Sequence, residues 1–221
     1  MNIVLTGCDV NTEWQLPWFL QNVKRHNPNI TIVVADFGMS DKLKKSLTHE
    51  TFVVDGPQGW FKKPRAMIQA AEYGEKVVWL DTDCEVRGDV SYLFDNIHPE
   101  MLSMGVDRPM NRRHPHLGTW YNSGVVGFTG TPQILIDWEL ECRDTRQRGD
   151  QEVLHVMFKG NDIVKSQKIN PYHHRYNTLR IDIIDGVADP NPVIMHWTGP
   201  KGNLVIKGQM SDDPLSQVGI R

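Results

Sequence analysis

Apolar residues in this chain fall into short, near-continuous runs that alternate with longer stretches in which they recur every third or fourth position. The first kind suits buried strands and the second suits helices lying on a sheet. Residues 2–6 form a first strand, ended by Gly7 and followed by Asp9 in a loop. Residues 13–26 read as a helix: Trp14, Trp18 and Phe19 recur at helical spacing, Leu16, Leu20 and Val23 widen the stripe, and Pro17 falls in the first turn or so. Residues 30–37 give a second strand, 40–48 a short basic helix capped by Ser40, and 51–54 a third strand. Residues 60–73 then read as a helix with Pro64 near its start, which delivers the chain into a strand over 77–80.

Beyond that strand, 90–94 predicts a short helix and 101–106 another strand. Residues 108–120, rich in Arg, His, Pro and Gly, lack core periodicity and read as a long binding loop. A strand over 121–128 follows, then a helix capped by Thr131 and started by Pro132 that runs to about Arg148. A further helix opens at Asp150, and an apolar strand over 193–195 ends at His196. Alternation of strands and helices in this order predicts an α/β fold.

Length and charge narrow the picture modestly. With 221 residues, 39% of them hydrophobic, and no compositional break, the chain fits one domain with a sizeable core. Its extent is read as residues 1–203, with the polar, weakly patterned 204–221 as a C-terminal tail or partial lid. A formal net charge of -3 gives no global reason to expect a polyanionic partner. Cys8, Cys84 and Cys142 show neither disulfide nor zinc-knuckle spacing, which points to a reducing, cytoplasmic setting. No basic leader opens the sequence and no run is long enough to span a bilayer, so an unprocessed protein without a membrane span is expected.

The candidate chemistry centres on 77–86, VVWLDTDCEV, where a buried-strand pattern stops at two carboxylates separated by one residue. In an extended backbone Asp81 and Asp83 share a face and can aim at one cation while Thr82 turns away. Open α/β sheets bind ligands at the carboxyl ends of their strands, where these acids begin. Carboxylates favour a hard divalent ion, Mn²⁺ or Mg²⁺, with positions left for phosphate oxygens. Lys62, Lys63 and Arg65 crowd the N-terminus of the preceding helix, which is unfavourable unless an anion lies nearby. At the other end of the chain, His196 follows an apolar strand as Asp81 does, with a Gly-Pro turn and Lys201 close behind.

Four landmarks in order, DTD at 81–83, YNSGVVGF at 121–128, GDQEVLH at 149–155 and HWTGPKG at 196–202, resemble those of the GT-A glycosyltransferases, most closely the glycogenin-like retaining enzymes of family eight. The resemblance implies a single-domain GT-A (Rossmann-like) fold, a three-layer α/β/α sandwich with a mixed central sheet. It implies Asp81, Asp83 and His196 as metal ligands and Asn122 and Ser123, with Gly124, in the sugar pocket. By the same resemblance Asp150 and Gln151 lie beside the reacting sugar as catalytic residues, and the loop from Thr6 through Gly7 to Asp9 holds the donor nucleotide. Arg65, Thr82, Gly199 and Lys201 complete the implied donor contacts, although the late motif is one residue shorter than the family's and lacks its Pro-Trp.

The activity so implied is metal-dependent transfer of a hexose or pentose, with retention, from a UDP-sugar to a hydroxyl acceptor. A divalent ion and the basic cluster would stabilise charge on the departing diphosphate. The acceptor is expected to be a carbohydrate or glycoconjugate. A second possibility is a hydroxylated DNA base, suggested by Arg108, Arg112, Arg113, Arg143, Arg146 and Arg148 as a phosphate-binding surface. Two competing readings are a phosphatase of the haloacid dehalogenase type, which places its Asp-x-Asp on the first strand, and a non-catalytic binder of nucleotide-sugars. A nucleotidyltransferase lacks its Gly-rich phosphate loop here.

Overall fold

The computed structural model describes residues 1–212. Ten strands form in chain order: β1 (Asn2–Cys8), β2 (Thr31–Asp36), β3 (Glu50–Val53), β4 (Lys76–Leu80), β5 (Cys84–Val86), β6 (Leu102–Val106), β7 (Tyr121–Thr129), β8 (Ile169–Tyr172), β9 (Thr178–Leu179) and β10 (Ile194–His196). The helices are α1 (Leu16–His26), α2 (Asp41–Ser46), α3 (Lys63–Ala70), α4 (Ser91–Asp95), α5 (Arg108–Arg113), α6 (Gln133–Arg143), α7 (Asp150–Met157), α8 (Asp162–Ser166), α9 (Arg180–Ile184) and α10 (Gly199–Asp212).

Seven strands pair in the order β3-β2-β1-β4-β7-β6-β8. All neighbours are parallel except β7, which runs antiparallel to both β4 and β6, so the sheet is mixed. Strand alternation divides the core. Val4, Val78 and Leu80 face α1, α4 and α10, against Phe19, Phe94 and Ile206. Ile3, Leu5, Val77 and Trp79 face the opposite layer, against Met67 of α3, Trp138 of α6 and Leu154 of α7. Both faces of these strands are covered, which is why they read as continuous apolar runs instead of alternating ones. Each such buried side chain contributes about 1.5–3 kcal/mol relative to an exposed one.

A second, three-stranded sheet, β5-β10-β9, sits at the carboxyl end of β4. Pairing β10 antiparallel to β5 places His196 opposite Cys84, one residue past Asp83. Two segments far apart in sequence are thereby fixed side by side.

Some boundaries depart from the sequence reading. Residues 108–120 are not an unstructured loop. The Asp107 carboxylate accepts from Met110 N–H and caps α5, Pro109 sits in the first turn, and Pro115–Leu117 makes a 3-10 turn. Periodicity misses α5 because acids on α9, not the core, hold its arginines. The helix expected over 132–148 stops at Arg143. Residues 204–212, expected as the start of a tail, continue α10; Ile206 is buried, and Gln209 accepts from Trp18 Nε1 at 3.1 Å. The remainder of that expectation, 213–221, lies outside the described residues. Among the described residues, no helix is long and apolar enough to cross a membrane.

Candidate active site

The acids after β4 do not lie in extended backbone. Asp81 N–H donates to Gly124 O at 2.9 Å and Cys84 N–H donates back to Asp81 O at 2.9 Å, closing a turn between β4 and β5. Thr82 therefore does not point away: its hydroxyl donates to Gln15 Oε1 at 2.6 Å and its side chain lines the same cavity as both acids. Trp79 Nε1 donates to Asp81 Oδ1 at 2.6 Å and fixes one carboxylate from within the sheet.

His196 completes the group. Its Nε2 lies 3.0 Å from Asp83 Oδ1 and 3.8 Å from Asp81 Oδ2. The ring fits only because residue 124 is glycine, where a Cβ would stand 2.1 Å from His196 Cε1. Burial alone would push the imidazole pKa down, but Asp83, with Asp81 behind it, raises it above the ordinary value. Cys84 is the other ligand-type side chain in reach of Asp83 and His196. Its thiol is fully buried, contacts Gly124 O at 3.6 Å and is pushed well above the usual range, chiefly by burial and then by Asp83. A protonated thiol is a poor ligand, so two carboxylates and an imidazole are the donors that fit a hard divalent ion.

Lys63 is the principal site residue that sequence reasoning placed only loosely. It is buried at the start of α3, with Nζ 2.9 Å from Asp81 Oδ1 and 3.3 Å from Asp150 Oδ2, and donates to Ser123 O at 3.2 Å. Burial would depress its pKa, but the Asp150 and Asp81 carboxylates raise it, so the ammonium stays charged. Burial alone would raise the Asp81 pKa, but Lys63 and then His196 lower it. The Asp150 pKa is raised, by burial above all and then by the neighbouring Asp81 against the opposing pull of Lys63. Arg65, the basic residue first assigned to donor contact, is two positions too far along the helix. It lies 3.6 Å from Glu139 Oε1 and does not line the cavity. A helix turns about 100° per residue, so Lys63 and Arg65 cannot share a face.

The cavity itself is about 500 Å³, set over the carboxyl ends of β1 and β4. Gly7, Asp9, Asn11 and Thr12 form one wall, and Phe37 and Trp60 form another. Asp9 accepts from Asn11 and Thr12 and stiffens the loop after β1. Gly7 is needed there, since a Cβ would stand 3.0 Å from both Phe37 and Trp79. Thr6 lies beneath this loop, fully buried, and does not reach the opening. Gly199, at φ 75°, and Pro200 close the far rim, whereas Lys201 is exposed and does not line the cavity.

Asn122, Ser123, Asp150 and Gln151 come together beside Lys63. Gln151 Oε1 accepts from Asn122 Nδ2 at 2.9 Å and from Ser123 N–H at 3.2 Å, while its Nε2 donates to Asp107 Oδ2 at 2.9 Å. Asp150 Oδ2, next to the lysine, has no hydrogen-bond partner among the described residues. Asp107 and Asn177 are further site residues that the sequence reading missed. Neither sits in a recognisable motif, and a lone Asp or Asn gives no signal to find it by.

The arginines read as a phosphate-binding surface are largely committed to acids. Arg108 and Arg112 pair with Asp182 at 3.1 and 3.3 Å, Arg112 and Arg113 reach Asp185, and Arg143 Nε and Nη2 bind Glu139. Four of the six arginines that suggested a DNA-base acceptor are thus paired with acids of the protein itself.

No protein-family profile matches the chain. It is 26% identical over 213 residues to the glycosyltransferase GlyE of Streptococcus pneumoniae serotype 4 (strain ATCC BAA-334 / TIGR4), an alignment covering 89% of this chain and 48% of that protein. The chain thus spans about half the length of the curated relative it matches. Among solved structures, it superposes on the galactosyltransferase LgtC in complex with donor and acceptor sugar analogs with a TM-score of 0.66, 18% identity and full coverage of both chains. Against the crystal structure of GlyE from Streptococcus pneumoniae TIGR4 the TM-score is 0.62, at 16% identity, covering 96% of this chain and 64% of that one. The shared architecture is the GT-A glycosyltransferase fold. With the Asp-x-Asp in the turn after the fourth strand and not after the first, that fold sets aside the haloacid dehalogenase reading.

Proposed function

We propose that this chain is a retaining glycosyltransferase that moves a hexose or pentose from a UDP-sugar to a hydroxyl of a carbohydrate or glycoconjugate acceptor, using Mn²⁺ or Mg²⁺. One observation carries the reading. Asp81, Asp83 and His196 converge at one end of a cavity whose other lining, the Gly7-to-Thr12 loop with Phe37 and Trp60, suits a flat base and its ribose. Likeness to GlyE and to LgtC, which was solved with donor and acceptor sugar analogs, supports sugar transfer. Three free, buried cysteines support a reducing, cytoplasmic setting.

Asp81, Asp83 and His196 would hold the divalent ion, which when bound supplies Lewis-acid stabilisation of the leaving diphosphate. The protein's own residues do the rest. Lys63 keeps its positive charge against Asp81 and Asp150 and holds both carboxylates in place, Asp81 in the cavity lining and Asp150 buried behind it. Asp150 Oδ2, ion-paired with Lys63 at 3.3 Å, would place negative charge near the positive charge that develops on the sugar ring. Gln151, fixed by three hydrogen bonds, presents a rigid polar edge beside it. Gly199 and Pro200 close the rim from the α10 side, opposite the nucleotide loop.

Incubation with a panel of UDP-sugars and Mn²⁺, with and without EDTA, tests the proposal. Slow release of UDP from one donor, abolished by EDTA, is expected. Asp83→Ala should weaken Mn²⁺-dependent UDP binding about a hundredfold or more, since several kcal/mol of charge stabilisation pass through the ion, with circular dichroism unchanged. Unimpaired binding by that variant refutes the ligand assignment. Metal-dependent binding without turnover on any acceptor would instead identify a nucleotide-sugar binder.

A further inference from the structure

Gln151 is held by its neighbours in a single orientation. Along β7, the pairing with β6 jumps from Val126, opposite Met104, to Asn122, opposite Gly105, so residues 123–125 have no partner on β6. Ser123 N–H is released from that ladder and donates to Gln151 Oε1 at 3.2 Å. A backbone N–H can only donate, so the atom facing it is the amide oxygen. At the other end of the same group, Nε2 donates to Asp107 Oδ2 at 2.9 Å, where a carboxylate can only accept. Turning the amide over would set nitrogen against the Ser123 N–H and oxygen against the carboxylate.

Asp107 is itself anchored. Its N–H donates to Trp120 O at 2.9 Å, and its other carboxylate oxygen accepts from Met110 N–H at 3.0 Å as the cap of α5. Gln151 Oε1 also accepts from Asn122 Nδ2 at 2.9 Å, and Asn122 is oriented in turn by Gly124 N–H, which donates to its Oδ1 at 3.0 Å. Asp107, Asn122 and Ser123 are all buried, so water is largely kept from competing. An amide oxygen has two lone pairs, and both are in use here. The nitrogen has two hydrogens, and Asp107 takes one. What Gln151 retains is a single N–H without a partner among the described residues.

We propose that Asp107 is a positioning residue that locks the Gln151 amide with its oxygen engaged, so that Gln151 serves a bound sugar as a hydrogen-bond donor and not as an oxygen nucleophile. The lock stands on this geometry, and its use in turnover rests on the sugar-transfer reading above. An oxygen that already accepts two hydrogen bonds has no lone pair left to form a bond to an anomeric carbon. A donor held in place beforehand costs no reorganisation when charge develops on the substrate's oxygens.

A polarity swap tests both parts, read by melting temperature and by turnover of whichever UDP-sugar the wild type accepts. In Asp107→Asn, the α5 cap keeps the amide oxygen, so Nδ2 meets Gln151 Nε2, donor against donor. In Gln151→Glu, a carboxylate oxygen meets the Asp107 carboxylate. Each single variant should melt about 2–10 °C lower. The double variant Asp107→Asn with Gln151→Glu reverses the bond and satisfies every atom, so its melting temperature should return to within about 2 °C of wild type. Its kcat should nevertheless stay at least about tenfold low, because residue 151 then has no N–H to give. Asp107→Asn alone should lower kcat by a similar factor while UDP affinity stays within about twofold. A double variant that melts no higher than the singles overturns the lock. One that turns over as fast as wild type, or that carries a glycosyl adduct on residue 151 by intact mass, overturns the donor role. If a variant does not fold, a long-range HNCO spectrum of wild type decides: Gln151 Nε2–H should correlate across the hydrogen bond with the Asp107 carboxyl carbon, and its absence overturns the proposal. A recovered melting temperature in a protein that turns over no UDP-sugar would support the lock and overturn the donor role together with the sugar-transfer reading.

Discussion

The two halves of the central sheet bury different things. On the β3-β2-β1-β4 side the interior is aliphatic and aromatic: Ile3, Leu5, Val33, Val77 and Trp79 pack against one helical layer, and Val4, Val34 and Val78 against the other. Beyond β4, the elements that meet the cavity bury Asp107, Asn122, Ser123, Asp150, Asn177 and His196, all below a tenth exposed. The first half offers a ligand an open floor at the ends of rigid parallel strands. The second offers donors and acceptors whose directions are fixed in advance by one another. Buried polar groups are tolerated only when they are paired, so the second half is the more exacting construction and the more easily broken by a change of one atom.

Lys63, which reaches across from the first half to the acids of the second, gives the largest expected effect. Lys63→Met should cost about 3–5 kcal/mol in urea unfolding, because it leaves Asp81 and Asp150 buried without their cation. Adding Asp150→Asn should restore part of that loss, whereas a strictly additive double variant would show that the two do not interact. On the apolar side, Leu5→Ala should cost about 2–5 kcal/mol by opening a cavity. Its Mn²⁺ affinity, measured on the folded protein, should match wild type. A large loss of metal binding there would erase the contrast between floor and network.

Asp36 gives a smaller, pH-dependent case at the rim of the first half. Burial alone would raise its pKa, but the Met39 and Gly38 amides and Lys44 hold it below the ordinary carboxylate value. A carboxylate with a depressed folded-state pKa stabilises fully above its unfolded pKa, near 4, and loses that contribution as pH falls through the folded value. Asp36→Asn should therefore cost about 1–3 kcal/mol at neutral pH, and the gap from wild type should close as pH drops below about 4. A gap that widens on acidification would contradict the shift. Smallest of all, Arg65→Ala should change stability by about 0–1 kcal/mol and leave UDP affinity unaltered, because Glu139 keeps Arg143. A marked drop in UDP affinity would return Arg65 to the donor site in place of Lys63.

The contrast also separates what was legible in the chain from what was not. Strands over 2–6, 30–37 and 77–80 were readable because strands covered on both faces must be apolar throughout, and the helices between them because one stripe must be. The ends that carry the candidate site were readable too: DTD, NSG, DQ and HWTGPKG each mark a strand or helix terminus. The segment 160–192 was opaque, since its short elements α8, β8, β9 and α9 are held by pairing and ion pairs with distant residues and not by a periodic stripe.

Sequence alone determined the α/β alternation, the place of the acids after a buried strand, and the late histidine at the end of another. Only the tertiary structure decided that a turn replaces extended backbone at 81–83, that Lys63 and not Arg65 faces the acids, that Arg108 and Arg112 serve α9, and that Asn177 meets His196. Hydrophobic periodicity is a local property, carried by residues three or four apart. The direction of a buried hydrogen bond depends on whichever donor the fold brings opposite, and no spacing along the chain encodes it.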